Sequence, residues 1–151
     1  MAIWFRPYTI ADIVPLRRKT MVEHIGIEIT EIGEDYIRGT MPVDERTRQT
    51  MGLLHGGASV ALAETLGSIG GALVIDPVKQ SCVGLEINAN HLRAARAGLV
   101  TGTARPINLG RSVHVWQTEI VDETGKPVCV SRLTLYILDR SLKAAANPGT
   151  G

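Results

Sequence analysis

Aromatic side chains are scarce in this chain: two Trp, three Tyr and one Phe among 151 residues. So few rings give little for bases to stack on, and a net charge of +1 supplies no basic excess for a phosphate backbone. Nucleic-acid binding is therefore not expected. The two cysteines, Cys82 and Cys129, cannot build a disulfide framework, and no Cys or His pairs fall at zinc-binding spacing. A reduced, cytoplasmic setting follows as the expectation. The opening residues, Met1 to Tyr8, lack a basic stretch leading into an apolar run, so no secretory signal is read there. The length suits one domain with a real core and leaves no room for a separate cofactor-binding domain.

Glycine, by contrast, is plentiful. Six of the 16 glycines lie between positions 52 and 71. They fall in Met51 to Ile75, a stretch whose one formal charge is Glu64. Length alone would let this stretch cross a membrane, but a mid-span glutamate, His55 and the glycines argue for the buried central helix of a globular domain. The expected helix runs from Gly56 to Ile75, and Asp76-Pro77 ends it. Each interior glycine costs about 1 kcal/mol against alanine, so Gly67, Gly70 and Gly71 imply that another backbone packs closely against them.

The remaining pattern is strand-like. A short helix capped by Thr9, with Asp12 three residues on, is cut short by Pro15. His24–Ile32 and Tyr36–Val43 alternate apolar and polar residues around the turn Gly33-Glu34-Asp35, as an antiparallel hairpin does. Four further strands are expected at Cys82–Leu92, Leu99–Leu109, Ser112–Val121 and Val128–Leu138, and residues 139–151 read as a frayed tail. With one long helix, the crossovers a parallel sheet needs are missing. The expected architecture is α+β, an antiparallel sheet wrapped around a central helix in a single domain spanning 1–138.

Two features bear on chemistry. The segment Gln49-Thr50-Met51-Gly52-Leu53-Leu54-His55-Gly56-Gly57 runs straight into the long helix. A helix N-terminus offers unpaired N–H groups and partial positive charge, and glycine lets a ligand reach them. That combination can form an oxyanion hole; equally, Gly56 and Gly57 can simply tighten a turn. Glu64 lies two turns on among apolar neighbours, with Gly67, Ser68 and Gly71 on its face. Desolvation there raises a carboxylate's pKa and suits it to base or nucleophile work; the alternative is a solvated stripe, which would then hold no second charge. Gly57-Ala58-Ser59-Val60-Ala61 half-matches a hydrolase nucleophile elbow, but no strand leads into it. His24, His91 and His114 read as isolated strand histidines. Arg93, Arg96, Arg105 and Arg111 sit near strand ends, either solvated or available to phosphates.

Together, Gly-Leu-Leu-His-Gly-Gly-Ala-Ser (52–59) and Ala-Glu-Thr-Leu-Gly-Ser (63–68) resemble the hotdog-fold acyl-CoA thioesterases of the phenylacetyl-CoA and 4-hydroxybenzoyl-CoA thioesterase type. Gly84-Leu-Glu-Ile-Asn-Ala-Asn-His91, Leu109-Gly-Arg111, Val115-Trp-Gln117 and Ser131-Arg-Leu-Thr134 are similar to the branch of the 1,4-dihydroxy-2-naphthoyl-CoA and enterobactin proofreading thioesterases. The resemblance spans Trp4 to Leu138. It implies subunits paired to build sites at their interface, most often as tetramers, with no metal and no cofactor beyond the coenzyme A that belongs to the substrate. It assigns Glu64 as the catalytic carboxylate, the Gly56 N–H to the thioester carbonyl, Gln49 and His55 to positioning, and Ser68 to orienting water or the intermediate. His91, Gly84, Arg93, Arg111 and Met51 are the expected substrate contacts. Thr50-Met51 stands where relatives tend to carry Pro-Phe, and Asn108 where a histidine is common, so the pocket mouth and acyl preference are expected to differ. The implied reaction is hydrolysis of an aroyl or other medium-sized acyl thioester, carried by coenzyme A or a carrier protein. A hotdog dehydratase or hydratase, or a non-catalytic thioester-binding module, is the competing expectation.

Overall fold

The computed structural model describes residues 1–140. The chain opens with three short helical pieces. In the first, α1 (Ile10–Ile13), the Thr9 N–H and hydroxyl both donate to the Asp12 carboxylate at 2.8 Å. Pro15 then turns the chain into a 3₁₀ turn, Val14–Arg17. The second helix, α2 (Met21–His24), occupies the start of what the alternation of Ile25, Ile27 and Ile29 predicts as a strand. Gly26 takes a left-handed φ of 74°, its N–H reaches the Glu23 carbonyl and the Ile27 N–H reaches Val22, which is the glycine stop of a helical turn. Pairing begins only at β1 (Glu28–Ile32), although Ile25 and Ile27 are buried as their spacing suggests.

The hairpin partner is β2 (Ile37–Pro42). After a loop comes α3 (Gly56–Val74), followed by β3 (Gln80–His91), β4 (Leu99–Leu109), β5 (Val113–Val121) and β6 (Pro127–Asp139). The final strand runs one residue past the expected domain end at 138; Asp139 still pairs with Gln80. The rest of the expected tail, 141–151, lies outside the described residues. All six strands form one antiparallel sheet in the order β1-β2-β4-β5-β6-β3. The expected α+β hotdog architecture is what the chain adopts.

One face of the sheet wraps α3. Met41, Val100, Trp116, Leu133 and Leu135 are fully buried with Leu62 and Leu66 of the helix in a single core. By length and composition α3 could span a membrane, yet here it lies against the sheet. Its glycines make room for side chains rather than for a second backbone. A Cβ on Gly67 would stand 2.7 Å from Leu133, and one on Gly70 would meet the Trp116 ring at the same distance. The Trp116 ring is itself stacked on Trp4, centroids 6.4 Å apart. At the far edge of the sheet β3 pairs only with β6. It bulges between Gly84 and Glu86 and leaves Val83 and Leu85 45% and 61% exposed.

Candidate active site

The loop before α3 is held by its own polar groups. The buried Thr47 hydroxyl donates to the Pro42 carbonyl at 2.6 Å, and the Thr47 carbonyl receives the His55 N–H at 2.8 Å. The Arg48 guanidinium donates to the Arg96 carbonyl at 2.9 Å, and the Leu54 N–H to Ala95 at 2.8 Å. These bonds fix where the helix begins. Within the loop, Gly52 turns at a left-handed φ of 76°, and the Gln49 side-chain carbonyl accepts the Met51 N–H. The Gln49 amide NH₂ is left as a donor at the cavity that Gln49 lines with Gly56, His91 and Arg93, about 370 Å³ in volume.

His55 is the N-cap of α3, a role its residue type does not advertise. Its Nδ1 accepts the Gly57 N–H at 2.8 Å, so the neutral ring carries its proton on Nε2. The next donor is free. Among the described residues no acceptor takes the Gly56 N–H. His91, at the end of β3, lies over Gly56 so closely that a Cβ there would come 2.7 Å from Nε2. Glycine at 56 keeps this donor approachable.

Glu64 belongs to a different cavity. It lines a space of about 530 Å³ with Ser68 and Ile69 of α3, closed by aliphatic residues of α1, α2 and β1, among them Ile10, Ile13, Val22 and Ile29. Burial pushes the Glu64 carboxyl above its ordinary range, and a hydrogen bond from the Ser68 hydroxyl, 3.4 Å away, partly offsets this. Gly84 backs the carboxylate: a Cβ there would stand 2.7 Å from Oε1. Eight residues of helix, at about 1.5 Å each, put Glu64 about 12 Å along the axis from Gly56.

One chain thus groups Gln49, Gly56, His91 and Arg93, with His55 capping the same helix end, and separately groups Glu64, Ser68 and Gly84. It does not bring the groups together. Met51 is exposed on the loop, and Arg111 is exposed in the β4–β5 turn, next to the end of β6 opposite the one His91 pairs with. Neither lines a cavity with the others. Ser59 is buried in the first turn of α3, without the leading strand an elbow requires. His24 ends α2, and His114 is buried in β5. What residue order could not reveal is the N-terminal segment as a wall of the Glu64 cavity. Its only sequence signals are the apolar residues that follow the Thr9/Asp12 capping pair. Among the described residues no three His, Cys, Asp or Glu side chains gather to hold a metal ion.

A free N–H at a helix start and a desolvated carboxylate on that helix are the two elements acyl transfer needs. The thioesterase superfamily matches residues 51–129. The chain belongs to that superfamily. It is 50% identical over 136 residues to the 1,4-dihydroxy-2-naphthoyl-CoA hydrolase of Escherichia coli, covering 90% of this chain and 99% of that one. It is 48% identical over 136 residues to the proofreading thioesterase EntH of Cronobacter turicensis, covering 90% and 98%. A crystal structure of a Haemophilus influenzae thioesterase superposes with a TM-score of 0.87 at 52% identity, over 91% and 95% of the two chains. This protein is a thioesterase of the hotdog superfamily.

Proposed function

We propose that this thioesterase hydrolyses an aroyl or other medium-sized acyl-CoA to the free acid and coenzyme A, at a site built from two copies of the chain. The observation that carries the reading is the unpartnered Gly56 N–H at the start of the helix that also bears the half-buried Glu64. The thioester carbonyl oxygen accepts from Gly56, where negative charge develops in the transition state. Gln49 and His55 hold the thioester, and His91 and Arg93 flank its approach. Glu64 then acts in one of two ways. As base it takes a proton from water while the water oxygen bonds to the carbonyl carbon; as nucleophile its own oxygen forms that bond, giving an anhydride that water cleaves. In both, the C–S bond breaks and the thiolate leaves with its electron pair. Because a thiolate leaves without prior protonation, a carboxylate suffices and no separate acid is required. Ser68 steadies Glu64 or the water beside it.

Gly56 and Glu64 line different cavities of one chain, about 12 Å apart along the helix, and this is what calls for a second copy. The edge strand β3 suits the joint: it is twelve residues long, unpaired on one side among the described residues, and carries exposed Val83 and Leu85. Long exposed edges of this kind are ordinarily covered. Arg111 enters the site only through such pairing, and two dimers would complete a tetramer. Thiol release across a panel of acyl-CoAs, with an acyl carrier protein as a second donor, tests the reading. Glu64→Gln should lower turnover by orders of magnitude with the fold intact, and near-normal turnover in that variant would overturn the assignment of Glu64.

A further inference from the structure

Apart from Glu64, Thr65 and Ser68 on α3, the cavity that holds Glu64 is aliphatic except on one other wall. The 3₁₀ turn places Arg17 there, and β1 begins there with Glu28. Arg17 is poorly used by its own protein. Nη1 donates to the Ile27 carbonyl at 3.0 Å, but the approach to Glu28 is loose, at 3.4 Å from Nη1 and 3.5 Å from Nη2. A well-formed guanidinium–carboxylate pair closes to about 2.7–2.9 Å. Glu28 is 62% exposed and shares its charge with water, whereas the Arg17 side chain is 30% exposed. A guanidinium has five N–H donors, and the bonds described here occupy few of them. An unsubstituted hydrocarbon chain would leave the rest facing apolar surface, which is costly for a partly desolvated cation.

We propose that Arg17 is a specificity-determining residue that reads an oxygen acceptor at the far end of the acyl group, a hydroxyl or a carboxylate. This rests on the acyl-CoA reading above and on the Glu64 cavity as the acyl pocket. The reacting carbonyl sits by Glu64 and Ser68 on the α3 wall; the acyl chain crosses the aliphatic middle formed by Ile13, Val22, Ile29 and Ile69; its terminal oxygen meets Arg17 on the wall built by the 3₁₀ turn and β1. A terminal carboxylate competes with Glu28 for the same N–H groups, while a hydroxyl adds to them.

The test is the ratio of kcat/KM for ω-hydroxy- and ω-carboxy-acyl-CoA to that for the unsubstituted acyl-CoA of equal chain length. In the wild type at least one ratio should be about tenfold or more, the effect of one hydrogen bond to a charged group. Arg17→Met should bring it to about one, and Glu28→Gln should raise the ratio for the carboxylate by freeing Arg17. A packing role for Arg17 would change all three substrates alike and leave the ratios unmoved. Wild-type ratios near one with brisk turnover would overturn this inference alone, whereas no thiol release from any acyl-CoA would overturn the function beneath it as well. Should Arg17→Met fail to fold, Arg17→Lys, which keeps the charge and loses the planar fork of donors, should lower the favoured ratio severalfold, and an unchanged ratio in that variant would refute the role of Arg17.

Discussion

Replacing Gly56 by proline isolates a single atom of the proposed chemistry, its N–H. The backbone is already suited to the change. His55 has φ −67° and ψ 132°, the extended geometry a residue before proline prefers, and Gly56 is the first helical residue, where proline is well tolerated. The N–H has no acceptor in the described chain, so its removal breaks no internal bond. Proline also brings a Cβ toward His91, at 2.7 Å from Nε2. Gly56→Ala brings the same Cβ and keeps the donor, so the pair separates sterics from hydrogen bonding. Loss of one oxyanion donor typically lowers kcat by about 10²–10³; Gly56→Pro should fall in that range and Gly56→Ala well short of it. The same variant tests the two-copy site. A donor bond, a carbonyl and an attack distance together span about 7 Å. The helical separation is about 12 Å, and Glu64 turns toward Ser68 and Gly84 in a cavity that Gly56 does not line. Mixing Gly56→Pro chains with Glu64→Gln chains makes half of the dimers mixed, each with one intact site of two, so about one quarter of wild-type activity should return. Activity that stays at the level of the separate variants after subunit exchange would refute the shared site. A Gly56→Pro enzyme no slower than Gly56→Ala would refute the oxyanion role.

Three further outcomes are expected. Because burial holds Glu64 above its ordinary value, the folded state binds that proton more tightly than the unfolded chain; stability from this group is present in acid and is lost as pH rises through the folded pKa. Glu64→Gln should therefore melt higher than the wild type at neutral pH, with the difference vanishing in acid, while the wild-type kcat/KM profile bends downward at a pH above the usual glutamate range. His114 is 3% exposed with Nδ1 unpartnered, and burial lowers its pKa against a partial offset from the Gly110 backbone. Stability is then lost as pH falls below the ordinary histidine value of about 6.5, and His114→Gln should flatten that acid-side decline in melting temperature. Gly70→Ala gains about 1 kcal/mol in helix propensity but overpacks the core at about 1–3 kcal/mol. Since the Trp116 ring is fixed between Gly70 and Trp4, denaturant unfolding should show a net loss of up to about 2 kcal/mol.

How far residue order discloses the structure depends on whether the signal is local. The strands β2, β4, β5 and β6 are legible because one face is buried and the alternation follows it, and α3 because a long apolar run between a polar loop and Asp76-Pro77 has little other use. The false strand at His24 shows the limit. Ile25 and Ile27 are buried as the period demands, but the backbone carrying them is a glycine-stopped helical turn, and two apolar residues two apart do not distinguish the cases.

The site divides along the same line. That Gly56 opens a helix and Glu64 follows on it, about 12 Å along the axis, is local and readable. Which cavity each faces is not local. His91 reaches Gly56 from the end of β3, Gly84 backs Glu64 from the same strand, and the acyl-side wall comes from the segment Ile10 to Ile29, far earlier in the chain. A single edge strand thus supplies a neighbour to both half-sites, while among the described residues its outer side stands unpaired. Covering that edge with a second copy would therefore do two things at once, removing an exposed strand and bringing a partner's helix within reach of the first. This is why stability and catalysis should be lost together when pairing along β3 is broken, and why charged substitutions at Val83 and Leu85, which touch neither Gly56 nor Glu64, should yield monomers without thioesterase activity.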